Sequence, residues 1–186
     1  MRSELPNIRR IAFSNHDLLR KVLMPYKTNC LYLQKAQVEF AEKELVQTKN
    51  AKDLLARGEF SIPESCYISD TGHFNAVEFN ICYNQLGYYL LAECVQYRLL
   101  DEFLDWDIEK YFQRQLSNML IVEFSSSFHK LMRSDYFNGH IKIEDIFKKK
   151  KTLFLRTSCS FYDNNEGYST GKALLAIVNL NSSNEE

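Results

Sequence analysis

The segment Ser69-Asp70-Thr71-Gly72-His73-Phe74-Asn75-Ala76-Val77-Glu78 gathers the densest set of chemistry-bearing side chains in this chain. Gly72 suits a tight turn, and the residues after it read as the start of a helix. The unpaired N–H groups and the dipole of such a helix end can hold a developing oxyanion. His73, just before it, can exchange a proton near neutral pH. Asn75 and Glu78 lie three residues apart and share a helix face. The same residues admit a structural reading. Asn is a common helix cap, Glu in a first turn suits the dipole, and a solitary His more often packs than reacts. Spacing leaves both readings open.

Other candidates are weaker. Cys66 and His73 invite a Cys–His nucleophile, but nothing in their spacing fixes a geometry, and free Cys is among the most buried residue types. Asn80, Asn84 and Gln85 are amides in an otherwise apolar stretch, so each must find a hydrogen-bond partner or face a ligand. The structural role is favoured for Asn80 and Gln85, while Asn84 is balanced between the two. Tyr26 and Tyr67 each follow a break in the chain (Pro25 and the Pro63 turn), where a phenol could reach a cavity or simply edge the core. The sequence contains no P-loop, dinucleotide fingerprint, Gly-x-Ser-x-Gly elbow or His-Glu-x-x-His. His16, His129 and His140 form no ligand pattern with the cysteines, so no metal and no cofactor are expected.

The elements that must position these residues follow from periodicity. Leu18, Leu19, Val22 and Leu23 have helical spacing over His16–Tyr26, ended by Pro25. Ala36, Val38 and Phe40 alternate as a half-buried strand. Ala41–Arg57 reads as an excursion with a helical turn or two, closed by Gly58 as a C-cap. Glu59–Ile62 alternates again and stops at Pro63. Asn75–Tyr97 is apolar on nearly every helical face, which requires other structure wrapped around it. Asp107–Ser117 is predicted to be a short polar helix. Met119–Phe128, Ile141–Phe147, Leu153–Phe161 and Tyr168–Leu180 read as strands, with turn chemistry at Asp163–Gly167. The run Lys148–Lys151 is the solvated bend between two of them. The expected architecture is α+β: about six strands in a curled antiparallel sheet around one long central helix, in a single domain over residues 1–186 with a loose tail at 181–186. A sheet with open edges invites pairing with a second copy.

Composition sets outer bounds. The 186 residues are 45% hydrophobic, with 13 Phe, 11 Tyr and one Trp, enough for an aromatic core. Lys and Arg number 23 against 24 Asp and Glu, so the net charge of −1 gives no field for nucleic acid. The five cysteines are odd in number and lack a Cys-x-x-Cys spacing, which predicts neither a disulfide framework nor a zinc site. With no apolar run of membrane length and no signal-peptide pattern, a cytoplasmic protein is expected.

Several blocks carry a further signal: Val22-Leu23-Met24-Pro25-Tyr26, Gly58-Glu59-Phe60-Ser61-Ile62-Pro63-Glu64-Ser65-Cys66-Tyr67-Ile68, Thr71-Gly72-His73-Phe74-Asn75-Ala76-Val77-Glu78, Cys82-Tyr83-Asn84-Gln85-Leu86 and Gln115-Leu116-Ser117-Asn118-Met119-Leu120-Ile121. From Val22 to Leu180, the chain resembles the FcoT-type acyl thioesterases. The resemblance implies a hot-dog fold and an enzyme acting on fatty acyl thioesters of CoA or acyl carrier protein. It implies hydrolysis, or addition of glycine to a 2-enoyl thioester followed by release of the β-amino acid. The wrapped helix and the coverable sheet edges lead us to expect a homodimer or higher even oligomer, and the near-neutral charge no nucleic-acid partner. By that likeness Tyr26, Tyr67, Asn75 and His73 match catalytic positions, and Gly72, Glu78 and Asn84 match substrate-binding ones. Asn75 would then orient water or a carbonyl, because this type lacks an acidic nucleophile. Ser69-Asp70 stands where the family pattern leads us to expect a basic residue, and the Ala41–Arg57 excursion exceeds a plain hairpin. A non-catalytic module binding acyl chains or the carrier protein is the competing class on the same fold.

Overall fold

The computed structural model describes residues 10–41, 54–69 and 71–178. In chain order these form β1 (Arg10–Phe13), α1 (His16–Leu23), β2 (Leu33–Ala41), β3 (Leu55–Phe60), α2 (Ala76–Gln96), α3 (Ile108–Arg114), β4 (Met119–Lys130), β5 (Phe137–Lys149), β6 (Thr152–Tyr162) and β7 (Tyr168–Ile177). The strands make one antiparallel sheet in the order β1-β2-β3-β5-β6-β7-β4. Seven strands therefore replace the six expected. The additional one, β1, is too short at four residues for its alternation to be distinctive.

Helix α2 is the axis of this sheet. It starts at Asn75, whose side chain accepts from the Val77 and Glu78 N–H groups while the Glu78 side chain accepts from the Asn75 N–H, a complete capping box. Of its 21 residues, 14 are buried, so it must be enclosed on most sides. Its partners show how. Phe79 meets the rings of Phe124 and Phe128 on β4 and of Phe161 on β6. The Tyr83 hydroxyl is 2.6 Å from Thr157 Oγ1 on β6. The helix also contacts β2, β3 and β5. The sheet thus curls about the helix from both sides, which is the hot-dog arrangement.

Gln85 fastens the incoming chain to this helix, as its structural reading predicts. Its Oε1 accepts from the N–H groups of Tyr32 (3.1 Å) and Leu33 (2.8 Å), and its Nε2 donates to the Cys30 carbonyl (2.5 Å). A fully buried amide with three backbone partners meets most of its hydrogen-bonding demand.

Three sequence expectations need correction. The strand read as Glu59–Ile62 runs instead from Leu55 to Phe60, so the far end of the Ala41–Arg57 excursion is β-structure; its residues 42–53 lie outside the described ones. Gly58 is accordingly no helix cap but a mid-strand residue, opposite Gly139 in the β3–β5 register. A Cβ on Gly58 would lie 2.7 Å from Leu33 Cδ1 and 2.8 Å from Phe60 Cε2, and one on Gly139 2.4 Å from Phe161 Cδ1, so both glycines make room for the side chains packed over them. Finally, α3 is less polar than read, because Tyr111 is fully buried and donates to the Tyr88 carbonyl at 2.6 Å. The Lys148–Lys151 bend is found where expected, with Lys150 in the left-handed region. The tail 181–186 also lies outside the described residues.

Glu93 is an unusual member of this core. It is fully buried, takes a hydrogen bond from the Tyr89 hydroxyl on Oε1, and has no partner on Oε2 among the described residues. Desolvation pushes its carboxyl above the ordinary glutamate value, against the lowering effect of Tyr89. The folded state therefore holds this proton more tightly than the unfolded state. The contribution to stability is fully present below the unfolded pKa and is lost as pH rises through the folded one. Glu93→Gln, which mimics the neutral acid, should exceed the parent chain in stability at neutral pH, with the gap closing toward about pH 4.5. Urea midpoints measured across that range check the sign; a gap independent of pH would contradict it.

Candidate functional site

The site is built where the Thr71–Phe74 loop enters α2. Gly72 takes φ +74°, a left-handed turn that glycine adopts without steric cost. Phe74, 1% exposed, then anchors the loop. Its N–H donates to the Met132 carbonyl at 3.0 Å, and its ring meets Phe79, Phe128, Phe137 and Phe161. This aromatic anchor fixes where the next residue, Asn75, must stand.

Asn75 Oδ1 accepts three hydrogen bonds: from Val77 N (3.0 Å), Glu78 N (3.2 Å) and the Tyr67 hydroxyl (2.9 Å). Two backbone donors on that oxygen settle the orientation of the amide. Among the described residues its Nδ2 then has one hydrogen-bond acceptor, Thr71 Oγ1, at a long 3.5 Å. Asn75 therefore presents a directed donor, held from behind by Tyr67 and the helix, with capacity left over among the described residues. The cap engages the N–H groups of Asn75, Val77 and Glu78 but not that of Ala76. The helix end thus offers fewer outward donors than an uncapped one, and the amide of Asn75 stands in front of those it covers.

His73 is exposed, and its Nδ1 is 2.9 Å from the Thr71 carbonyl. A carbonyl accepts only, so Nδ1 carries the hydrogen, and in the neutral ring Nε2 is the basic nitrogen. Thr71 Oγ1 donates to the His73 carbonyl at 2.9 Å and closes the loop. Glu78 is 2% exposed, and its Oε2 accepts from the Asn75 N–H at 3.2 Å.

Tyr67, Gly72, His73, Asn75 and Glu78 thus converge on one helix end. Tyr26 and Asn84 stand apart from it. Asn84, half-buried, donates from Nδ2 to the carbonyl (2.9 Å) and Oδ1 (2.8 Å) of Asn80, one turn back on the helix. Tyr26 packs beside Cys30, Cys82 and Tyr88, further along α2. Burial drives its phenol far above the ordinary tyrosine range, so at neutral pH it can only act as an uncharged donor or acceptor. The Cys66 N–H donates to the Tyr32 hydroxyl, while His73 Nδ1 turns to Thr71; the Cys–His nucleophile reading gains no geometric support.

Thr71 is the member of this site that the sequence reading passed over. Its signal was its place four residues before the cap, within reach of the Asn75 amide. Two surface grooves, of about 730 and 530 Å³, lie elsewhere. They are lined by outward residues such as Ser125, Arg156, Ser158 and Lys172 in the first, and His140 and Thr170 in the second. Among the described residues there is no group of three or more His, Cys, Asp or Glu placed to hold a metal ion. Nor is any helix among them long and apolar enough to cross a membrane.

Comparison with known proteins identifies relatives of this chain. The model of the FcoT-like thioesterase domain matches residues 21–177. A (2E)-enoyl-[ACP] glycyltransferase of Streptomyces coeruleorubidus is 39% identical over 172 residues, covering 90% of this chain and 99% of the relative. The protein of the same name from Mycobacterium bovis is 38% identical, covering 88% of this chain and 87% of its own. In fold, a solved structure of a thioesterase candidate from Shewanella oneidensis superposes with a TM-score of 0.50 at 6% identity, over 87% of this chain and 96% of that one. The match runs from the end of α1 to the last residue of β7 and takes in the whole capped helix and its loop, so the chain belongs to the FcoT-like thioesterase family.

Proposed function

We propose that this chain adds glycine to a (2E)-enoyl thioester carried on acyl carrier protein and then releases the β-amino acid by hydrolysis. The observation that carries the reading is the Asn75 amide, oriented by Tyr67 and the helix with its Nδ2 donor uncommitted to a short bond. Both steps need such a donor. When the glycine amine bonds to the β-carbon, electron density moves from the double bond onto the thioester oxygen. When water attacks the thioester carbon, the same oxygen carries the charge of the tetrahedral intermediate. Asn75 Nδ2 and the Ala76 N–H serve that oxygen in turn. His73 takes the proton released by the amine and passes it to the α-carbon of the enolate, then takes a proton from the attacking water and gives one to the departing thiol. Acyl-CoA is the alternative carrier.

The names of the curated relatives, at 35–39% identity over most of this chain, favour glycine addition over hydrolysis alone. A second copy completes the assembly in this reading, paired along β4, which has β7 on one side only and exposes Leu120, Val122 and Phe128. The cytoplasm, where acyl carriers and reduced thiols are found, is the matching compartment.

The test combines purified chain, a (2E)-enoyl acyl carrier protein and isotope-labelled glycine, with products read by mass spectrometry. A labelled N-substituted β-amino acid is the expected product. Free enoic acid alone would reduce the function to hydrolysis, and tight binding without turnover would leave a binding module. Light scattering on the same preparation should return an even multiple of the chain mass; a monomer at micromolar concentration would overturn the pairing.

A further inference from the structure

Tyr67 reaches Asn75 from a segment with no regular structure to hold it. β3 ends at Phe60, and the Ile62 N–H donates to the Ser134 carbonyl at 2.8 Å. Residues 63–69 then make no backbone–backbone hydrogen bond among the described residues. A loop of this kind needs other anchors for its polar groups. Two side-chain hydrogen bonds on neighbouring residues supply them. The Cys66 N–H donates to the Tyr32 hydroxyl at 2.9 Å, and the Tyr67 hydroxyl donates to Asn75 Oδ1 at 2.9 Å. Tyr32 is a fixed point for the first of these. It is 1% exposed, its N–H donates to Gln85 Oε1 at 3.1 Å, and its carbonyl accepts from the Ser61 N–H at 3.0 Å. The contacts form a circuit that leaves α2 at Gln85, passes through Tyr32 and the Cys66–Tyr67 peptide, and returns to α2 at its cap.

We propose that Tyr32 is a positioning residue for the Asn75 amide: its hydroxyl pins the Cys66–Tyr67 peptide and so sets the Tyr67 hydroxyl on Asn75 Oδ1. Without the pin, the Cys66 N–H must turn to water, the peptide moves with it, and the Tyr67 hydroxyl loses its line to Oδ1. Oδ1 keeps the Val77 and Glu78 N–H groups, so the helix cap survives. The amide loses its outer support, and with it the fixed direction of Nδ2. An oriented donor is worth most when its direction is set before the substrate arrives. The expected effect on turnover rests on the function proposed above, in which Nδ2 serves the thioester oxygen; the relay itself does not.

The test compares Tyr32→Phe, Tyr67→Phe and the double variant with the parent chain. Phenylalanine keeps the buried ring of Tyr32 and removes only the hydroxyl. Hydrogen exchange should find the Cys66 amide protected in the parent and fast in Tyr32→Phe, with the amides of residues 79–90 protected in both. Loss of protection along 79–90 would make Tyr32 a residue of the fold at large and overturn the proposal. The Asn75 side-chain amide resonance should shift in Tyr32→Phe in the same direction as in Tyr67→Phe, and the double variant should add nothing to Tyr67→Phe. Turnover of the enoyl thioester should follow. Tyr32→Phe lowers kcat by about tenfold with little change in KM, and has no further effect once Tyr67 is Phe. An unmoved Asn75 resonance in Tyr32→Phe would overturn the proposal. So would a loss of kcat that multiplies with that of Tyr67→Phe, since Tyr32 would then act by another route. If the parent chain turns over no thioester, the proposed function fails, and hydrogen exchange with the Asn75 resonance still decides the relay.

Discussion

Asn75→Asp is expected to lower turnover of an acyl thioester by about a hundredfold or more while leaving the melting temperature close to that of the parent chain. Aspartate keeps an oxygen where Oδ1 is, so the bonds from Val77 N, Glu78 N and the Tyr67 hydroxyl survive. Asp is also as good a helix cap as Asn. What disappears is the Nδ2 donor, replaced by an acceptor with a negative charge that repels a developing oxyanion. Losing one oriented donor in such a site costs about 3 kcal/mol of transition-state stabilisation. Asn75→Ala removes the cap as well and should add about 1 kcal/mol of lost stability. Steady-state kinetics with thermal melts of both variants separate the two roles. Normal turnover in Asn75→Asp would make the residue a cap and nothing more.

The largest loss of stability is expected from Phe79→Ala, about 4 kcal/mol. Phe79 is fully buried one turn into α2, and its ring meets those of Phe74, Phe124, Phe128 and Phe161. Four neighbouring rings cannot all collapse into the space left behind, so the cavity term adds to the lost transfer energy. Against a typical domain stability of about 5–15 kcal/mol this is a large share. Urea denaturation should show a midpoint shift of that size with an unchanged slope. A loss below about 1 kcal/mol would mean that the aromatic cluster does not hold the helix end in place.

The central helix was the most legible element, because a stretch apolar on every face has no stable place except inside other structure. Its cap was legible too: Asn75 and Glu78 at a three-residue spacing are what a reciprocal cap requires. The structural reading of Asn75 is met by Oδ1, which caps the helix, and the proposed catalytic role falls to the other end of the same amide, Nδ2. Gly58 was misread because glycine after a run of Glu, Lys, Leu and Ala looks like a helix end, whereas its reason is a ring contributed by Phe60. Contacts of that kind are set by the fold and leave no local pattern. Tyr26 and Tyr67 were both placed near a chain break, but nothing in their surroundings said that only Tyr67 would touch Asn75.

The facing glycines of β3 and β5 bear on how this sequence can drift. At Gly58 and Gly139 the space that a methyl group would fill is already taken by the rings of Phe60 and Phe161, with Leu33 beside the first of them. No side chain can enter at either glycine while its ring remains, and no ring can be trimmed without opening a hole above a strand that has nothing to fill it. Each change alone is costly, while the matched pair restores the volume, so the energies of the two substitutions are strongly coupled. Change at the centre of this sheet must therefore come in compensating pairs. The neutral path from one aromatic arrangement to another passes through the ring and its glycine together, which makes this crossing one of the slowest parts of the chain to change.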